Sequence, residues 1–314
     1  MRLLFAYDGS NFSEAALDDI AKAGLPANGE AIVVSVSEIW LPPADGDNGS
    51  ETDPYIEAIV RKHRERGERS LSEAAAYSRH AAGRLKTVLP NWNVADEATY
   101  GSPAWEIIKA SERFAADLIV VGSHGHSAVG RLFLGSISQK VLTEAKCSVR
   151  VARGRVEVEP APIRIAIGFD GSGGAQAAVE AVADRNWPEN TEVRLIAASD
   201  SPAPTAIGRF LPPVAGWTHE EAKAEQEMIE KLCEPALARL RDKGLTATAS
   251  IVEGNPKHVI TREAENWHAD SIFVGANAYG SRVERFVLGS TSAAIAARAH
   301  CSVEVVRRKT SAIH

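Results

Sequence analysis

Cysteine is scarce in this chain, with three in 314 residues, at Cys147, Cys233 and Cys301. An odd and widely spaced set builds no disulfide framework, which points to a reducing cytoplasm. Long apolar runs are missing too. None approaches the roughly 18 residues of a membrane span. The opening MRLLFAYDGS loses its apolar character at Asp8, too soon for a signal peptide, and reads as a first strand. There is no basic excess: Lys and Arg number 35 against 41 Asp and Glu, giving a formal charge of −6 and a pI near 5.9. A mildly acidic surface is a poor match for nucleic-acid phosphates or anionic membranes, so neither partner is expected. Nine histidines show no metal-ligand spacing with Cys or Asp. What remains is 45% apolar and 24% charged, which supplies ample apolar material for two cores. At roughly 150 residues per domain, the length suggests two domains.

The chain repeats itself. LFAYDGS at 4–10 returns as IGFDGS at 167–172, GSPAWEIIKASERFAADLIVV at 101–121 as GNPKHVITREAENWHADSIFV at 254–274, and LGSISQKVLTEAKCSVR at 134–150 as LGSTSAAIAARAHCSVE at 288–304. The order is kept at offsets of 162, 153 and 154 residues, so a whole domain is duplicated. The halves are expected at 1–155 and 162–309, joined near Arg153–Pro162, where charges and prolines replace the apolar pattern.

Within each half, apolar runs alternate with helical periodicity. In the first half, strands are expected at 3–7, 31–36, 92–99, 117–121 and 148–151, and helices at 13–23, 54–89, 104–115 and 136–145. That alternation implies an α/β fold with a parallel sheet and right-handed crossovers. Segments 40–53 and 201–217, rich in Pro, Gly and Ala, read as surface loops.

The strongest local pattern is VGSHGHSAVGRLFLGSIS at 121–138. Gly122, Gly125 and Gly135 give G-x2-G-x9-G followed by Ser136, between a strand and a helix. Such glycines let main chain approach a phosphate, and the free N–H groups of the helix start point at the anion. Hydroxyls at Ser136 and Ser138 can donate to the same oxygens. The Lys of a Walker A motif is absent, so this is not a P-loop. A competing reading needs no ligand: Ser136 with Gln139 also spells a capping box. Asp8 ends the first strand, where a carboxylate can accept from ribose hydroxyls or, with Ser10 and Ser13, simply start a helix.

These residues resemble the ATP-binding branch of the universal stress protein family, once per half. The resemblance implies tandem flavodoxin-like (adenine-nucleotide-hydrolase-like) domains, each a five-stranded parallel sheet of order 3-2-1-4-5 with helices on both faces. It implies pairing through the last strands, here 148–151 with 302–306, as an intramolecular pseudo-dimer, with homodimerisation left open. By position, Asp8 would contact ribose or adenine and Val36 would offer backbone groups to adenine. Gly122 and Gly125 would line ribose and phosphates, and Gly135, Ser136 and Ser138 would hold the phosphate tail of ATP, with Mg2+ or Mn2+ bridging its oxygens. The loop histidines His124 and His126, and Arg131 with its counterpart Arg285, read as solvated groups.

The second half departs from the pattern. Asp170, Gly275, Gly289, Ser290 and Ser292 match, but Ala278 stands where the loop glycine is expected, and Gly280 would have to compensate. A second nucleotide site is therefore expected to be weaker, if it exists. No nucleophile with a positioned base is visible, so turnover of ATP is expected to be slow at most, and the function that of a stress-response sensor or regulator. Two rivals remain. One is an interaction protein that needs no nucleotide. The other, ranked lower, is an adenylating enzyme of related fold, whose SGGxDS motif is only partly echoed by GSGG at 171–174.

Overall fold

The computed structural model describes residues 1–39, 54–125, 134–154, 162–199, 219–276 and 288–308. The expected loops 40–53 and 201–217, most of the join, and His126, Arg131, Ala278, Gly280 and Arg285 lie outside these residues.

The first half runs β1 (Arg2–Ala6), α1 (Asn11–Asp19), β2 (Gly29–Ser37), α2 (Pro54–Val88), β3 (Trp92–Tyr100), α3 (Pro103–Phe114), β4 (Leu118–Gly122), α4 (Ser136–Glu144) and β5 (Ser148–Ala152). The second repeats it as β6 (Arg164–Gly168), α5 (Gly173–Ala183), β7 (Glu192–Ser199), α6 (His219–Arg241), β8 (Thr246–Glu253), α7 (Pro256–Asn266), β9 (Ser271–Gly275), α8 (Ser290–Arg298) and β10 (Ser302–Val306). Helix α1 starts two residues before the position that periodicity predicts. Ser10 caps it, accepting from the Ser13 N–H at 3.2 Å, and a cap sets the start whatever the apolar phase.

The strands form one ten-stranded sheet of order β3-β2-β1-β4-β5-β10-β9-β6-β7-β8. Pairing is parallel within each half, and β5 meets β10 antiparallel, with Val151 opposite Val303 and Arg150 opposite Glu304. Each half thereby covers an otherwise open edge.

Side chains alternate across a strand, so the two faces of the β5–β10 seam differ. On one face Val149, Val151, Val303 and Val305 join Ile107, Leu142, Ile260 and Ile295 in a single apolar core that runs through both halves. On the other face each half keeps its own core, and the seam between them is charged. Arg150 there is fully buried and donates to Asp19 of α1 at 2.6 and 3.1 Å. Its third nitrogen lies 3.6 Å from Glu304, and Arg185, following α5, binds the same carboxylate. Ser302 Oγ donates to Asp19 at 2.6 Å. Burial alone would lower the Arg150 pKa, but Asp19 and then Glu304 raise it, so the cation is held in place. Two further arginines cross the seam as a matched pair: Arg153 donates to the Ala296 carbonyl at 2.6 Å, and Arg307 to that of Leu142 at 2.5 Å.

The cysteines pack as small apolar groups. Cys233 and Cys301 are buried, and burial pushes the Cys147 thiol up to about 11. A thiol so placed is almost wholly protonated at neutral pH and a poor nucleophile. At about pH 8, iodoacetamide should leave Cys147 unmodified in the folded protein and alkylate it once urea is added. Rapid labelling of folded protein, read by peptide mass spectrometry, would make it a reactive thiol instead.

Candidate functional site

β1 lies between β2 and β4, so the chain winds one way to β2 and the other way to β4. Ligands of open α/β sheets collect where the winding reverses, outside the carboxyl ends of the strands. At that place is a cavity of about 530 Å3, and its walls include all seven first-half residues singled out above: Asp8, Val36, Gly122, Gly125, Gly135, Ser136 and Ser138.

Each is held by local structure. Asp8 follows β1, and its Oδ1 accepts from the Ser10 N–H at 3.0 Å, which fixes the carboxylate at the turn into α1. A Cβ on Gly125 would come within 2.9 Å of Asp8 Oδ2 and, among the described residues, would meet no other atom within 4 Å, so the glycine main chain and the carboxylate share one wall. Gly122 ends β4 so close to α1 that a Cβ there would lie 3.0 Å from the Phe12 main chain. The Gly135 N–H donates to the Ser123 carbonyl at 2.9 Å, closing the loop that carries the glycines.

Gly135 is also the N-cap of α4, and no side chain caps that helix. The capping box spelled by Ser136 and Gln139 does not form, because the helix starts one residue too early for it. The first-turn amides of α4 therefore have no side-chain cap, and the helix dipole adds about half a positive charge at that end. Ser138, in the cavity wall, donates its hydroxyl to the Gly122 carbonyl at 2.7 Å, bracing the end of β4.

Three contributors are not legible in the motif. Ser70, Glu73 and Tyr77 of α2 form the wall facing β2. Ser70 meets Ser37, the last residue of β2, at 2.8 Å, and the Tyr77 ring covers Gly9. Arg84 of the same helix binds Glu14, which accepts from the Tyr7 hydroxyl. Burial and the Glu14 hydrogen bond raise the Tyr7 pKa, so the hydroxyl stays protonated and this clamp between β1, α1 and α2 persists. These residues sit at helical spacing on a mixed polar stripe, which in sequence is indistinguishable from a solvated face. His124 packs at a 45° tilt against Phe12, ring centroids 5.0 Å apart, and lines the cavity half-buried rather than as a solvated loop group.

The second half keeps part of this geometry. The Ser172 N–H donates to Asp170 at 2.9 Å, Ser292 Oγ to the Gly275 carbonyl at 2.6 Å, and the Gly289 N–H to that of Ala276 at 2.7 Å. Gly289 is the uncapped start of α8, with Ser290 its first residue. Two features differ. A Cβ on Gly275 would come within 2.3 Å of the Gly174 main chain, so β9 and α5 are pressed together more closely than β4 and α1. On α6, Met228 and the Gly171-covering Leu232 stand where α2 has Glu73 and Tyr77.

The sequence profile of the universal stress protein family matches residues 1–153 and again residues 163–307. The chain belongs to the universal stress protein family. A universal stress protein of Mycobacterium tuberculosis (strain H37Rv) is 24% identical over 307 residues, spanning 96% of this chain and 95% of that one. One of Thermus aquaticus, named for its place in the QAH/OAS sulfhydrylase 3′ region, is 36% identical over 151 residues, 48% of this chain and 97% of the relative. The crystal structure of a universal stress protein from Archaeoglobus fulgidus superposes with a TM-score of 0.57 at 24% identity, covering 98% of this chain and 96% of that one. Its likeness shows the fold over both halves. Among the described residues of this universal stress protein, no helix is long and apolar enough to cross a membrane, and no group of three His, Cys, Asp or Glu is placed to hold a metal ion.

Proposed function

We propose that the first half binds ATP or a closely related adenine nucleotide and that the protein acts as a nucleotide-responsive regulator of the stress response. The observation that carries this reading is the convergence on one cavity of the Asp8 carboxylate, the Val36 strand end, the bare glycine main chain and the uncapped start of α4. A hydroxyl-accepting carboxylate suits ribose, a strand end suits the edge of a base, and free amides at a helix start suit phosphate. A Cβ on Gly122 or Gly125 would meet main chain or Asp8, so a side chain there would crowd the cradle that the phosphates need. A divalent ion would be held largely by phosphate oxygens, since the described protein groups offer no ligand set of their own.

The second half is assigned a weaker site or none. Its β9–α5 contact is tighter, and Met228 and Leu232 replace the polar wall.

The test is a thermal-shift and calorimetric series with ATP, ADP, AMP and GTP, with and without magnesium. A ligand at 100 times its Kd should stabilise the protein by about 2.7 kcal/mol. The expected stoichiometry is one tight adenine nucleotide per chain. No shift with any adenine nucleotide would remove the reading in favour of an interaction protein that needs none.

A further inference from the structure

The long helix α2 runs antiparallel to the strands, with Leu85 in the core and Ser70 beside the carboxyl end of β2. The residues from Pro54 to Ser70 therefore overhang the sheet by about 24 Å at 1.5 Å per residue. Beneath the overhang is a second cavity of about 520 Å3, lined by Ile39, Lys62, Arg66, Arg69, Ser70 and Glu73. Ser70 and Glu73 also line the nucleotide cavity, so the two hollows share a wall.

We propose that Lys62, Arg66 and Arg69 form a second anion subsite of the nucleotide pocket, selecting an adenine nucleotide that carries a second phosphate group apart from its first. This rests on the nucleotide reading of the first cavity.

Three observations carry it. The cations sit at i, i+4 and i+7, and with Ser70, Glu73 and Tyr77 they fall on one stripe of α2 about 100° wide. Like charges so spaced repel, a cost that a bound anion would relieve. Among the described residues none of the three is paired with a carboxylate; Arg69 donates only to the main-chain oxygen of Glu65, at 3.3 Å. Glu65 and Glu68, which make this helix read as a solvated face in sequence, line a neighbouring groove that Arg69 borders, and neither lines the second cavity.

The second observation is the order of charge along the combined cavity. The start of α4 favours an anion, Asp8 and Glu38 line the first cavity, Glu73 stands on the wall that both share, and the three cations line the second. The carboxylates suit the hydroxyls and amines of a nucleoside and repel a phosphate, so anions are favoured at the two ends. Third, the duplicated half lacks the cluster. At the matching sequence positions stand Trp217, Glu221 and Ala224. The cations thus accompany the half that keeps the glycine pattern.

Calorimetry on the full chain with AMP, adenosine 3′,5′-bisphosphate and cyclic diadenosine monophosphate tests the proposal. The last two distinguish a ribose-borne phosphate from a phosphodiester-linked one. At least one should bind about tenfold tighter than AMP, the scale of one or two charge-assisted contacts. That gain should shrink as salt screens the cluster. It should vanish in K62A/R66A/R69A, whose alanines suit an exposed helix, while AMP affinity stays unchanged. Equal affinity for all three ligands, or a gain that survives the triple substitution, overturns the second subsite alone. Failure of AMP and every other nucleotide to bind overturns the parent reading as well.

Discussion

Replacing Arg150 by methionine is expected to lower the unfolding free energy by about 3–5 kcal/mol, a large part of a domain's usual margin. The guanidinium is fully buried at the seam and is met by Asp19 from one half and Glu304 from the other. Methionine fills much of the volume but leaves Asp19 in an apolar setting with one hydroxyl partner, Ser302, and leaves Glu304 to Arg185 alone. Urea unfolding should show a lower midpoint, or two transitions in place of one as the halves uncouple. The double variant D19N/R150M, which keeps the Glu304–Arg185 pair, should recover much of the loss, because the cost lies mainly in uncompensated buried charge rather than in a missing attraction. A loss under about 1 kcal/mol would mean that water reaches this seam and that the apolar face alone joins the halves.

The same seam marks how far the sequence could be read. The duplication, the alternation of strand and helix, and the glycine pattern are local or periodic features, and all are visible in one dimension. The β5–β10 pairing is what the family resemblance implies; open edges alone do not select it, because β3 and β8 are edges as well. The charged network does not, because Arg150 and Glu304 are single charges inside short apolar strands, and only the antiparallel register sets them opposite each other. Asp19, 131 residues from Arg150, reads as an ordinary helix-end acid. In the site, Asp8 and the glycines are legible because a strand end and a main-chain approach restrict which residue types fit. Glu73 and Tyr77 are not, since an exposed helical stripe accepts almost any polar residue. Ser138 shows a third limit: a hydroxyl at a helix start can serve a ligand or brace the preceding strand, and spacing does not say which. Here it donates to Gly122.

Replacing Gly125 by valine is expected to weaken adenine-nucleotide binding by about 100-fold, or some 2.7 kcal/mol, with little change in melting temperature. Gly125 separates binding from folding better than its neighbours do. Its backbone is outside the left-handed region, so a side chain is conformationally tolerated, and among the described residues the added Cβ would meet only Asp8 Oδ2, at 2.9 Å. The valine methyls would therefore grow into the cavity beside the carboxylate proposed to hold ribose, displacing it or occupying the sugar's place. Gly122→Val would instead press on the Phe12 main chain and cost stability as well, which blurs its reading. A Gly125→Val protein that melts normally and still binds ATP at wild-type affinity would show that the nucleotide does not lie along this wall. A protein that loses binding while keeping its melting point would place the ligand against the main chain between Asp8 and the glycine loop, where the duplicated half has Ala278 at the matching sequence position.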